Sequence, residues 1–221
     1  MATFVLIHAA GDGGWSWHLL EAALRERGHG VVAPDLPADD ASAGLSTYAD
    51  AVIDAIGGRT DVVVVGHSFG GFTAPLVCGR VPTKLLVMLA AMIPSPGEAP
   101  GDWWTNTGYE QAVTVPDDEI ATYYHDVPPE LVQEALRRVR DHPSERSLRE
   151  PWPLSAWPDV ATRVLLCRDD RVFPAPFLRR VARERLGITS DEIDGGHCIS
   201  LSRPVELAER LESYLEPHTP R

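Results

Sequence analysis

Asp61-Val62-Val63-Val64-Val65-Gly66-His67-Ser68-Phe69-Gly70-Gly71 is the stretch whose reading decides the fold. Its first half is a continuous β-branched run, the composition of a strand buried on both faces. Its second half is G-x-S-x-G, and the apolar run from Phe72 to Cys78 that follows reads as a helix. As a bare pattern G-x-S-x-G arises often by chance, but a strand running in and a helix running out make it a sharp turn. Side chains flanking such a turn collide, so glycines are needed there, and the strained serine presents its Oγ at the carboxyl edge of the sheet. Ser68 is therefore a candidate nucleophile, and it needs a base to accept its proton.

The alternation of strand and helix extends in both directions. Thr3 to His8 is an apolar run ending in a glycine-rich turn. A helix over 17–27 places Leu20, Ala23 and Leu24 on one face, and Gly28 can close it in a left-handed cap. Residues 31–33 read as a strand. Thr47-x-x-Asp50 resembles a capping box opening a helix that buries Tyr48, Val52 and Ile56. A further strand runs over 84–91. After Pro94 the rhythm breaks: Pro96, Gly97, Pro100 and Gly101 punctuate a stretch holding Trp103, Trp104 and Tyr109. Helical segments follow near 118–124 and 130–140. Alternation resumes with a strand at 163–167, a helix at 176–186, a strand near 189–193 and a helix at 203–215. The pattern predicts an α/β fold with a mainly parallel six-stranded sheet, flanking helices and right-handed crossovers. It predicts a single domain over residues 1–221, with a short helical lid insertion at 95–160.

Parallel strands deliver their following loops to one edge. Asp169 and Asp170 lie just past the strand at 163–167, and Gly195-Gly196-His197 follows the last strand. An acid from the first pair and the imidazole of His197 can thus meet Ser68, in the chain order serine, acid, histidine.

Composition narrows the function classes. With 221 residues the chain suits one sizeable core. A net charge of -12 argues against a nonspecific nucleic-acid surface. Cys78, Cys167 and Cys198 are odd in number and widely spaced, which suggests neither a disulfide framework nor a zinc site. The histidines show no H-x-H or H-E-x-x-H spacing, so no metal and no cofactor are expected, and His8 and His67 read as hydrogen-bonding turn residues. The first ten residues carry no basic segment and too short an apolar run for a leader or membrane anchor. A soluble, cytoplasmic protein that engages no membrane is expected. Gly11-x-Gly13 and Asp35 mimic a dinucleotide fingerprint, but Trp15 and Trp17 crowd the place of its third glycine. Arg137, Arg138 and Arg140 read as a solvated helix face.

The chain resembles the α/β-hydrolase superfamily over nearly its whole length, and is similar to its plant methylesterase and hydroxynitrile lyase branch with bacterial esterase relatives. The matching pieces are Val5-Leu6-Ile7-His8 with Gly13-Gly14-Trp15-Ser16-Trp17, then Gly66-His67-Ser68 and Leu89-Ala90-Ala91-Met92-Ile93-Pro94. Cys167-x-x-Asp170-x-x-x-Pro174 and Gly196-His197 complete them. The resemblance places the acid four residues before the proline, which selects Asp170. It also implies an oxyanion hole from the backbone N–H groups of Phe69 and Ala10. Most relatives begin that loop His-Gly, whereas here it is His8-Ala9. Lyases of the branch resemble His-Lys at the base and carry a threonine in the oxyanion loop; this chain has His197-Cys198 and Ala10.

The resulting expectation is a cofactor-independent serine carboxylesterase acting on small apolar or aromatic esters through Ser68, His197 and Asp170. Ala9, Trp103, Trp104 and Tyr109 are expected to contact substrate, with Tyr123 and Tyr124 as further aromatic material. A small-molecule receptor on the same fold, a lactonase, a thioesterase and a hydroxynitrile lyase are the competing readings.

Overall fold

The computed structural model describes residues 1–114, 116–140 and 143–216, with Gln111 described by its backbone alone. Residues 115, 141 and 142 of the insertion, and 217–221 at the end of the expected domain, lie outside the described residues.

The six strands are β1 (Thr3–Ile7), β2 (Gly30–Val32), β3 (Val62–His67), β4 (Thr83–Leu89), β5 (Thr162–Cys167) and β6 (Asp191–Ile193). They form one sheet in the order β2-β1-β3-β4-β5-β6, and every neighbouring pair is parallel. Alternate side chains of the strands feed two cores, one on each face. Val5, Ile7, Val62 and Val64 face α2 (Leu45–Ile56), α3 (Gly70–Cys78) and α9 (Ala175–Leu186). Phe4, Leu6, Val63 and Val65 face α1 (His18–Glu26) and α11 (Pro204–Ser213). Because both faces are covered, the inner strands β1, β3, β4 and β5 need continuous apolar runs.

Local signals set several boundaries. Gly28 adopts φ +83 just beyond α1, as a left-handed cap requires. The helix expected to open at Thr47 instead begins at Leu45 after Gly44, with Thr47 inside its first turn. The reason is tertiary: the Leu45 N–H donates to the carboxylate of Glu150, which supplies the acceptor a local cap would have offered.

Between β4 and β5 the chain forms α4 (Trp103–Asn106), α5 (Tyr109–Ala112), α6 (Glu119–Tyr123), α7 (Pro129–Arg137) and α8 (Glu145–Arg149). A short α10 (Ile199–Ser202) separates β6 from α11. The segment is anchored through Glu98, whose buried carboxylate pairs with Arg185 of α9 and accepts from Asn106 and the Ser95 N–H. Among the described residues no helix is long and apolar enough to cross a membrane.

The connections from β1 and β3 leave toward opposite faces of the sheet. In open parallel sheets this reversal makes a crevice at the carboxyl ends of the strands, and ligands bind there. Ala9 and Ala10 follow β1 and Ser68 follows β3, so all three stand at that crevice.

Candidate active site

Ser68 sits at the end of β3 with φ +50, a conformation unfavourable for a residue with a side chain. The surroundings over-determine it. Its N–H donates to Leu89 O at 3.3 Å, and its carbonyl accepts from Gly71 N at 3.0 Å and Met92 N at 2.9 Å. A Cβ at Gly66 would lie 2.7 Å from Ala74 Cβ, and one at Gly71 would lie 2.1 Å from Met92 O. These glycines are required because β3, α3 and the end of β4 approach too closely for any side chain.

His197 lies in the loop after β6, and its Nδ1 stands 2.8 Å from Asp170 Oδ2. Both side chains are buried. A carboxylate can only accept, so Nδ1 carries the proton and the neutral ring keeps its lone pair on Nε2. The other oxygen, Asp170 Oδ1, accepts from Val172 N at 2.8 Å and Phe173 N at 2.9 Å. Asp169 points elsewhere: its carboxylate accepts from Gly195 N at 3.3 Å, and its carbonyl accepts from His125 Nε2 at 2.9 Å.

Two buried histidines brace this arrangement. His67 donates from Nε2 to the His197 carbonyl at 2.9 Å. Burial, with the neighbouring His197, holds its pKa well below the usual histidine value, so it stays a neutral donor. His8 donates from Nδ1 to Ala9 O at 2.8 Å and accepts the Leu36 N–H at Nε2, 3.0 Å away. Burial depresses its pKa also.

The loop after β1 is pinned from outside. Gly14 N donates to Asp35 Oδ1 at 2.7 Å, and Arg140 N donates to Gly11 O at 2.9 Å. Asp35, the apparent ribose acid of a dinucleotide fingerprint, is thus an anchor for this loop. Arg140 is corrected as well: it is not part of a solvated face, because its guanidinium is largely covered and pairs with Asp35 and Asp39. Arg137 and Arg138 are exposed and pair with Glu134.

Ser68 and His197 line one cavity of about 250 Å³. Ala9, Ala10 and Phe69 border it at the strand ends. Phe69 directly precedes α3, where the first N–H groups of a helix have no intrahelical acceptor. Trp104, Tyr123, Tyr124 and Phe173 provide aromatic walls, and Cys198 lies beside His197. Burial pushes the Cys198 thiol well above its usual pKa, so it brings no charge to the cavity.

Trp103 and Tyr109, expected to touch substrate, do not border this cavity. Trp103 is fully buried, donates from Nε1 to Ile93 O at 3.0 Å and packs edge-on against Phe173 and Phe177. The Tyr109 hydroxyl donates to Val172 O at 2.6 Å. Both pack against Trp104 and Phe173, two residues that do line the cavity, and a backbone acceptor for each polar atom fixes the ring there. Sequence reasoning missed Asp12, which also lines the cavity. Its only sequence signal was an acid two residues beyond Ala10 in the loop after β1.

The sequence model of the alpha/beta hydrolase family matches residues 4–210. Norfluorocurarine synthase 1 of Strychnos nux-vomica is 26% identical over an alignment of 256 positions, covering 96% of this chain and 95% of its own. Methyl jasmonate esterase 1 of Vitis vinifera is 24% identical over 257, covering 98% of this chain and 97% of its own. Among solved structures, polyneuridine aldehyde esterase superposes with a TM-score of 0.83 at 20% identity, over 98% of this chain and 100% of that one, a likeness of fold. With a match running from β1 into α11 on a sheet of this order, the chain is an enzyme and belongs to the alpha/beta hydrolase family.

Proposed function

We propose that the chain is a serine-dependent carboxylic ester hydrolase acting on small apolar or aromatic esters. The observation that carries this reading is the meeting of three loops: Ser68 on a strained turn, His197 in the same cavity, and Asp170 bonded to the far side of its imidazole. Relatives named as esterases, methyl jasmonate esterase 1 of Vitis vinifera among them, support an ester as substrate.

Ser68 Oγ attacks the ester carbonyl while His197 Nε2 takes its proton. Asp170 holds the imidazole in the Nδ1–H tautomer and stabilises the imidazolium. The N–H groups of Phe69 and Ala10 receive the developing oxyanion, each worth roughly 10²–10³ in rate. His197 returns the proton to the leaving alkoxide, the alcohol departs, and water repeats the sequence to release the acid. No step requires a metal or cofactor. The β4–β5 segment serves as a lid, since Trp104, Tyr123 and Tyr124 all belong to it. The aromatic walls suit apolar acyl or alcohol groups, and a cavity of about 250 Å³ suits compact ones. Hydrolysis is favoured over cyanohydrin cleavage because Cys198 and Ala10 offer no cation or hydroxyl to manage cyanide.

Fluorophosphonate labelling followed by peptide mapping tests the reading. One adduct on Ser68, absent from Ser68→Ala together with hydrolysis of short p-nitrophenyl esters, is expected. An adduct on another serine, or none on folded protein, overturns it.

A further inference from the structure

The cavity holds an ionisable carboxyl that the hydrolytic mechanism does not use. Asp12 and Glu119 both line it, and no lysine or arginine does so among the described residues. Glu119 is exposed and therefore screened by solvent. Asp12 is half-buried, and its field reaches His197, Tyr124 and Cys198, all of them cavity residues.

The other acids around the site are engaged. Asp170 accepts from His197 and two backbone N–H groups, Asp169 from Gly195 N and Asp126 from Gly196 N. Among the described residues the Asp12 carboxyl accepts no hydrogen bond and pairs with no cation. On its outer side Asp12 borders a recess shared with Asp35, Arg138 and Arg140. Those arginines are committed elsewhere: Arg140 to Asp35 and Asp39, Arg138 to Glu134 and to the Trp15 ring 5.0 Å away. Burial pushes the Asp12 carboxyl up to about 7, only partly opposed by His197. An unpaired carboxyl beside aromatic rings is what a cation would complete, because both the charge and the ring faces attract it.

Resting on the ester-hydrolase reading above, we propose that Asp12 is a specificity residue that selects esters carrying an organic ammonium group, whose charge sits beside Asp12 within the aromatic walls.

The test compares an acylcholine with its 3,3-dimethylbutyl carbon isostere, two esters of equal shape that differ in charge. In the wild type kcat/KM should favour the cationic ester by about tenfold or more, the scale of one charge-assisted contact. Asp12→Asn should reduce that preference to about unity, read as the ratio of the two esters in each protein so that any effect on His197 common to both cancels. A wild-type ratio near unity with both esters hydrolysed overturns the proposal and leaves the hydrolase reading standing. A preference that survives Asp12→Asn also overturns it. A second arm does not depend on turnover: calorimetric binding of benzyltrimethylammonium to the Ser68→Ala protein. Binding that is lost in the Ser68→Ala, Asp12→Asn double variant supports the proposal even if neither ester is hydrolysed, and no binding overturns it.

Discussion

Replacing Asp12 by Asn should stabilise the protein, and increasingly so as pH rises. The folded carboxyl titrates at about 7 against an ordinary value of 3.8, because burial disfavours its charge. Between those values the folded chain holds a proton that the unfolded chain has released, so wild-type stability falls as pH climbs from about 4 to about 7 and then levels off. Asparagine has nearly the same shape and does not titrate. At about 1.4 kcal/mol per unit, the interval from pH 5 to the folded value contributes about 3 kcal/mol, a ceiling that water in the cavity reduces. For a chain of this size each kcal/mol moves Tm by about 2–4 °C. The Tm advantage of Asp12→Asn should therefore widen between pH 5 and pH 8, by at most about 10 °C. Differential scanning calorimetry of both proteins at the two pH values measures it, and other titrating groups largely cancel in the difference. A Tm gap that does not change with pH, or a variant less stable than wild type at pH 8, would refute the reasoning.

Two further outcomes follow from particular contacts. Asp170→Asn should keep the fold and lower kcat by roughly 10⁴ by favouring the wrong histidine tautomer, whereas Asp169→Asn should lose far less; steady-state kinetics with matched circular dichroism decides, and a reversed order contradicts the assignment. Arg185→Ala leaves the buried Glu98 carboxylate without its cation and should cost about 3–5 kcal/mol in urea unfolding, whereas a loss below about 1 kcal/mol would mean that Glu98 is held by its amide partners alone.

Much of the fold was legible because its causes are local. Continuous apolar runs marked β1, β3, β4 and β5, and Gly28 marked the end of α1 through a backbone angle that other residues resist. Boundaries set by distant partners were not. Leu45 begins α2 because Glu150 reaches its N–H, which the neighbourhood of Thr47 could not reveal. At four residues α4 is too brief to display a periodicity, so Trp103 and Trp104 looked equivalent. Only packing separates the ring held in the core from the ring facing the cavity.

The sequence by itself determined that a parallel sheet must exist, that Ser68 must stand on a sharp turn at its carboxyl edge, and that an acid and a histidine follow in loops at that edge. These conclusions need only side-chain size, backbone freedom and strand direction, which are properties of neighbouring residues. The resemblance selected Asp170, and the tertiary structure placed Asp170 and not Asp169 against His197. It also decided that Arg140, beyond the end of α7, pairs with Asp35 and Asp39, and that Asp12 borders the cavity with no partner among the described residues. Each of these depends on which distant segment arrives beside a charge, and a charge takes its energy from what surrounds it rather than from its place in the chain.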